Sequence, residues 1–358
     1  MNSSDRQRQF AGTERVRAGQ EIDAGTLARW LEANVPGYAG PLALEQFKGG
    51  QSNPTYKLRT PSRDYVLRRK PPGMLLKGAH AIEREYRVIS ALSTVGFLVP
   101  RPLAMCLDDA VIGTWFYVME MAEGRIFWDS SLPGITREER PRYFDAMNAT
   151  IASLHTLDPN AIGLADFGKP DNYFERQIAR WSRQYVEDQA AGRDANMDRL
   201  IEWLPNNIPP GAQSSVLHGD YRADNIVFHS TEPIIIAVLD WELSTLGHPL
   251  ADFTYHLMMY RLPCEMVGGL NGRDLVALGI PSEADYVNTY CRRTGLGGIA
   301  NLDFYLAFNM FRFAAILHGI KGRIARGTAS SAHAKSAADM VVPLAELAWA
   351  QVKHTDRG

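Results

Sequence analysis

Cysteine is scarce: Cys106, Cys264 and Cys291 are the only three in 358 residues, far apart and outside any CxxC spacing. That excludes a disulfide framework and gives no zinc-ligand pattern, so reduced thiols in a cytoplasmic protein are expected. No apolar run approaches the roughly 20 residues needed to cross a bilayer, so no membrane association is expected. The opening stretch MNSSDRQRQFAGTERVRAG has none of the apolar centre of a secretory signal and reads as a polar tail, disordered over residues 1–22. An excess of either charge is missing too. Lys plus Arg (38) against Asp plus Glu (40) leaves a net charge of −2, which argues against a dedicated nucleic-acid or membrane-surface binder. Neither a GxxxxGK[ST] phosphate loop nor a GxGxxG fingerprint occurs, and there is no HExxH or paired-histidine metal motif. What remains, with 46% apolar and 22% charged residues, is an ordinary globular chain, long enough for two domains at about 100–200 residues each.

Regular structure is expected from Asp23, a helix N-cap followed by Leu27, Trp30 and Leu31 at helical spacing and stopped at Pro36 and Gly37. Short β-like runs follow at 42–47, 55–58 and 65–67, separated by GGQSNP and TPSRD, the pattern of an antiparallel meander. A helix is predicted over 80–92, then two strands over 103–107 and 115–121. Beyond Glu123 long helical patterns take over (137–157, 172–189, 198–203), interrupted by one β island at 215–217, 226–228 and 234–239. The reading is an α+β chain with a small β-rich N-terminal part over 23–121 and a large, mainly helical part over 122–358.

The β island carries the densest chemistry: VLHGDYRADNIVFH, then IIIAVLDWE. Asp220 follows His218 and Gly219, Asn225 comes five residues later, and Asp240 ends an apolar strand. An Asp, an Asn and a second Asp are hard oxygen ligands plus a carboxylate base, the set suited to Mg²⁺ and a transferring phosphoryl group. Each residue singly also suits an ordinary turn. Upstream, seven basic residues from Lys57 to Lys77 face one acid, Asp64, a local positive cluster within a neutral chain.

HGD with Asn five residues on, followed by LDWE, resembles the catalytic and metal-binding motifs of the aminoglycoside phosphotransferase family, relatives of the protein kinases with HRD…N and DFG. The resemblance implies the two-lobed protein-kinase-like fold, with 23–121 as nucleotide lobe and 122–358 as catalytic and acceptor lobe. It implies that Asp220 orients or deprotonates the acceptor hydroxyl, that Asn225 and Asp240 hold Mg²⁺, and that His218 is a scaffold residue of the catalytic loop. FKGGQSNPTYKL is similar to the family's nucleotide-covering turn, which brings Gly49, Gly50, Gln51, Ser52 and Asn53 to the phosphates. In YVLRRK, Arg68 stands where the kinase strand has lysine, with Lys70 two residues on and Glu85 as the helix carboxylate that pairs with it. FYVMEMAEGR resembles the connection between lobes, where backbone groups near Glu120 and Met121 would meet adenine. In GHPLADFTYHL, similar to the family's GDPLADL segment, Asp252 would brace the HGD loop and His248 would be structural.

LRRKPPGMLLKGAHAIEREYRV, ERQIARWSRQY and LDWELSTLGHPLAD sharpen the resemblance to the kinase-like domain fused to acyl-CoA dehydrogenases and its stand-alone bacterial relatives. The implied activity is ATP- and Mg²⁺-dependent phosphorylation of the hydroxyl of a small metabolite, with a hydroxyacyl-CoA as candidate. Arg312, Lys321, Arg323 and Arg326 in the late helices would meet a CoA phosphate or coat a solvated face. Two other readings stay open: a nucleotide-binding pseudokinase module, and an antibiotic phosphotransferase. A protein kinase is disfavoured, because LSTLGHPLAD follows Asp240 at once with no APE motif or room for an activation loop.

Overall fold

The structure is a computed structural model that describes residues 11–49, 53–71, 81–169, 171–211, 213–266, 268–327 and 334–355. The chain forms two compact units. The first comprises 1–150, 159–165 and 222–244; the second comprises 151–158, 166–221 and 245–358. The division therefore does not follow a single cut at residue 121, since 122–150 and the hairpin within 222–244 pack with the first unit.

The first unit is built on a six-stranded antiparallel sheet in the order β1-β2-β3-β4-β6-β5: β1 (Thr13–Glu14), β2 (Ala43–Phe47), β3 (Thr55–Arg59), β4 (Asp64–Arg69), β5 (Pro102–Cys106) and β6 (Phe116–Glu120). The period-2 pattern sorts β4 by face. Tyr65 and Leu67 point into an apolar core with Tyr56, Leu58, Phe116 and Val118, covered by Leu27 and Leu31 of the helix Ala24–Asn34. Asp23 caps that helix as expected, its carboxylate accepting from the Thr26 N–H at 2.6 Å. Val66 and Arg68 take the opposite face.

The described part of the N-terminal segment, 11–22, is ordered, contrary to the expectation of a disordered tail. Thr13 and Glu14 pair with Phe47 and Gln46. The Tyr56 hydroxyl and Arg69 both donate to the Gln20 carbonyl, at 2.8 and 2.9 Å. Order here comes from pairing with an edge strand and from two buried donors, neither of which leaves a periodic apolar signature in the segment. Residues 1–10 lie outside the described residues.

The β island is divided between the units. In the first, β8 (Ile226–Phe228) and β9 (Ile235–Val238) form an antiparallel hairpin. In the second, β7 (Ser215–Leu217) pairs with β10 (Thr245–Gly247). Among the helices of the second unit, Leu302–Ala325 is apolar nearly all round and correspondingly buried. Phe174 meets Phe304, Tyr305 and Phe308 of that helix at ring distances of 5.0–5.5 Å. Among the described residues no helix is long and apolar enough to cross a membrane.

Candidate active site

In the first unit, a cavity of about 1280 Å³ opens beside the sheet face that carries Val66 and Arg68. Seven of the sequence-derived candidates line it: Gly49, Arg68, Glu85, Glu120, Met121, Asn225 and Asp240. Asn53 is buried beside this group and donates through Nδ2 to Glu242 Oε2 at 3.1 Å. Gly50, Gln51 and Ser52 lie outside the described residues.

Hairpin geometry explains why Asn225 and Asp240 meet although 15 positions separate them. Antiparallel pairing of Ile226 with Val238 puts the start of β8 and the end of β9 at the same end, and the Leu239 N–H donates to the Asn225 carbonyl at 2.8 Å. Asp240 adopts a left-handed backbone with φ +64°, uncommon for a residue with a side chain and characteristic of functional loops. The Trp241 ring pins the turn, donating from Nε1 to the Val238 carbonyl at 2.9 Å and packing edge-on against Phe97.

Arg68 is the centre of charge in this unit and is only 6% exposed. Its Nη2 donates to Asp240 Oδ1 at 2.6 Å and to Glu242 Oε2 at 3.3 Å. Its Nε lies 2.9 Å from Glu85 Oε2, an ion pair by distance without hydrogen-bond alignment. Burial pushes the Glu85 carboxyl up to about 7, against the pull of Arg68, with Asp240 and Glu242 adding to the rise. Glu85 thus sits near the point of protonation in a group of three carboxylates held by one guanidinium. The fork matters, because Arg68 meets Asp240 and Glu242 from Nη2 and faces Glu85 from Nε, two fixed positions in one plane, whereas an ammonium would present all its donors from a single atom.

The rest of the basic cluster is not available to a ligand in the same way. Lys57 pairs with Asp64 at 2.8 Å, Arg59 with Glu45 at 2.9 Å and Lys70 with Glu83 at 3.0 Å. Lys70 also lies 4.0 Å from the centroid of the Trp115 ring. Arg69 turns to the core face, over Tyr56. Lys77 lies outside the described residues. Of the described residues in that stretch, Arg68 is the cation that lines the cavity. The Glu120 side chain is held away by Arg101 at 2.5 Å, which keeps its carboxyl below the usual range.

The second unit holds the HGD loop. Gly219 has φ +85°, which lets successive amides turn the same way at no Cβ cost. Both reach one acid: the His218 N–H donates to Asp252 Oδ2 at 2.7 Å and the Gly219 N–H to Oδ1 at 2.8 Å. His155 Nε2 lies 3.2 Å from the same Oδ2, and its Nδ1 is 2.7 Å from the Tyr290 hydroxyl. Burial pushes the Asp252 carboxyl up, but the His155 contact, the nearby His218 ring and the His218 amide more than compensate and hold it below the usual carboxylate range. Asp252 therefore braces the loop. His218 is fully buried, and its Nδ1 accepts from the Asp220 N–H at 3.1 Å, the contact of a scaffold residue. His248 caps the helix Pro249–Leu257 by accepting from the Leu250 N–H at 3.2 Å, and burial pushes it down to about 4. Asp220 itself is half-buried, with Oδ1 accepting from the Tyr255 hydroxyl at 2.6 Å.

Three participants were missed in the sequence: Glu242, His155 and Tyr255. Tyr255 was within reach, since it lies three positions after Asp252 and so on the same helix face. Nothing in the sequence singles out His155. Arg312, grouped with surface cations, is in fact 7% exposed, and Arg326 is paired with Asp188 at 2.5 Å.

Residues 43–284 match the family model described as the phosphotransferase enzyme family. The chain is 43% identical over 340 residues to mouse acyl-CoA dehydrogenase family member 10, covering 94% of this chain and 32% of that protein. It is 42% identical over 367 residues to chicken acyl-CoA dehydrogenase family member 11, covering 97% and 47%. The chain thus spans less than half the length of these relatives. Among solved structures, a protein of Ralstonia eutropha JMP134, provisionally named an aminoglycoside phosphotransferase, is 49% identical, with a TM-score of 0.85 over 93% of this chain and 99% of that one. Choline kinase of Cryptosporidium parvum Iowa II shares the fold at 12% identity, with a TM-score of 0.57 over 94% of this chain and 97% of that one. The expected α+β, protein-kinase-like fold is the one observed, and the chain belongs to the phosphotransferase enzyme family.

Proposed function

We propose that this chain transfers the γ-phosphoryl group of ATP to the hydroxyl of a small metabolite, with a hydroxyacyl-CoA as the candidate acceptor. The observation that carries the reading is the group at the cavity of the first unit: Asn225 and Asp240 brought to one hairpin end, with Arg68 bridging Asp240 and Glu85. One carboxylate and one amide oxygen are the hard donors that Mg²⁺ accepts beside phosphate oxygens, so the residues fit the ion. When bound, Mg²⁺ neutralises charge on the phosphates. Arg68 is the cation for the α and β phosphates, and Glu85 holds its fork in place. Gly49 to Asn53 cover the phosphates, and backbone groups at Glu120 and Met121 meet the base. Asp220 receives the proton of the acceptor hydroxyl, and His218 supports it through the backbone.

Related folds support the nucleotide assignment. Spectinomycin phosphotransferase was solved with ADP and spectinomycin, and a thermostable mutant of an aminoglycoside phosphotransferase with AMP-PNP and hygromycin B. The acyl-CoA dehydrogenase names of the relatives favour an acyl-CoA acceptor over an antibiotic.

The test is Mg²⁺-dependent phosphate transfer from ATP to a panel of hydroxyacyl-CoAs, small alcohols, spectinomycin and hygromycin B, with product followed by mass spectrometry. Asp220→Asn should lower turnover about 10²–10⁴-fold, the range for a positioned general base, with little change in nucleotide affinity. ATP binding by calorimetry that is indifferent to chelator and to Asp240→Ala would remove the metal assignment. Tight MgATP binding with no transfer to any acceptor would favour the regulatory pseudokinase.

A further inference from the structure

We propose that Tyr255 and Arg312 are positioning residues for Asp220: the Tyr255 hydroxyl fixes one oxygen of the carboxylate, and the Arg312 guanidinium fixes the phenol and the turn that carries the aspartate. The proposal rests on the reading of Asp220 as the general base.

The helix Pro249–Leu257 serves the HGD loop with two residues one turn apart. Asp252 takes the amides of His218 and Gly219, and Tyr255 donates to Asp220 Oδ1 at 2.6 Å. The loop is therefore held at both backbone and side chain from a single helix face, which leaves the Asp220 carboxylate one oxygen committed to a phenol. A hydroxyl donor orients the carboxylate oxygen that it meets.

Arg312 lies on the helix Leu302–Ala325 and is 7% exposed. Its Nη2 donates to the Gly219 carbonyl at 2.9 Å, and its guanidinium carbon is 5.3 Å from the centroid of the Tyr255 ring. No carboxylate of the described residues lies within ion-pair distance of it. A buried cation without a counter-ion is costly, so its position calls for a compensating use. Here the two contacts are the aromatic face of the residue that grips Asp220 and the carbonyl immediately before Asp220. A cation over the ring draws electron density from the phenol and strengthens its O–H as a donor. Other ionisable groups facing this loop include His218 and Tyr221 within it, His155 on the helix Arg140–His155, Asp252 and His256 beside Tyr255 on its own helix, and Tyr173, which feels the charges of Arg312 and Asp252.

The experiment is ¹³C NMR of protein labelled at the aspartate carboxyl carbon, with the Asp220 signal assigned by its loss in Asp220→Asn. Tyr255→Phe keeps the ring under Arg312 and deletes only the donor. It should raise the pH at which the Asp220 signal titrates by about one unit or more, since a hydrogen bond to the charged form is lost. Arg312→Met should raise it by less, with Arg312→Lys between Arg312→Met and wild type; this series carries the test should Tyr255→Phe fail to fold. An unmoved midpoint in Tyr255→Phe, or no difference across the Arg312 series, overturns the proposal. With an acceptor in hand, Tyr255→Phe should lower kcat roughly 10–100-fold and leave the KM for MgATP unchanged, the range for one hydrogen bond to a charged group. A shifted NMR midpoint together with wild-type turnover in Asp220→Asn would show that the positioning holds and that the base assignment fails.

Discussion

Replacing Arg68 by methionine removes the one guanidinium that faces Glu85, Asp240 and Glu242, while keeping most of the side-chain volume. Breaking a buried ion pair by deleting one partner costs about 3–5 kcal/mol, because the remaining charge is stranded. Here the stranded group has an escape. Glu85 already sits at about 7, and without the cation it rises further and takes up a proton in the folded state that it lacks in the unfolded chain, where its value is 4.5. A carboxyl whose folded value is raised is most stable protonated, so stability is retained at low pH and lost as pH climbs toward the folded value. Each pH unit between the wild-type and variant midpoints adds about 1.4 kcal/mol to the deficit of Arg68→Met. Urea unfolding of metal- and nucleotide-free protein, followed by circular dichroism at pH 6.5 and 8.5, should show a deficit at both values and a larger one at pH 8.5, by roughly 2 kcal/mol. Adding Glu85→Gln should flatten that dependence. A wild-type midpoint at pH 8.5, or a deficit equal at the two pH values, would refute the account of Glu85 as a carboxyl held by Arg68.

Asp252→Ala leaves the amides of His218 and Gly219 and the His155 ring without their shared acceptor. It should destabilise by about 3–5 kcal/mol in thermal or chemical unfolding. Gly219→Ala forces a Cβ into a backbone with φ +85° and should cost about 1–2 kcal/mol, with a fall in turnover larger than that stability loss explains. Burial holds His248 and His256 neutral, each down at about 4 against an ordinary 6.5. The folded protein therefore binds fewer protons than the unfolded chain in that window. Stability should be full above pH 6.5 and fall as pH drops toward 4, by roughly 3 kcal/mol for each histidine. Denaturation at pH 7.0 and 4.5 checks this: His248→Gln and His256→Gln should each reduce the acid loss, and an unchanged pH profile in both would exclude these histidines as its source.

Much of this arrangement was legible because the groups sit in short ordered runs. The span of His218, Asp220 and Asn225, and the strand ending at Asp240, place their side chains at loop mouths whatever the rest of the chain does. The strands 55–59 and 64–69 likewise follow from alternation between turns. Local pattern fails where one residue depends on another far along the chain. Thr13–Glu14 has no strand signal of its own and is ordered by β2, 30 residues later. The stretch from Lys57 to Lys77 reads as a basic patch only until each cation is given its partner. The acids that pair with Arg59 and Lys70 lie in β2 and in the helix Ile82–Thr94, outside the window that was counted. Whether Arg312 meets a phosphate or coats a solvated face is not decided by helical spacing, which gives a face and not its neighbours. Over the stretch Phe304 to Arg312 of the helix Leu302–Ala325, every position is buried.

Asp220 and Asp240 share a side chain and differ in what holds them, and the difference matches the roles proposed for them. Asp240 meets a buried guanidinium at 2.6 Å, a charge-assisted contact that fixes one of its oxygens. Asp220 Oδ1 accepts from a phenol, which orients that oxygen of the carboxylate. A phenol alone beside Asp240 would have left three neighbouring carboxylates repelling one another. Arg68 beside Asp240 and Tyr255 beside Asp220 therefore match the two roles proposed for these aspartates, metal ligand and base.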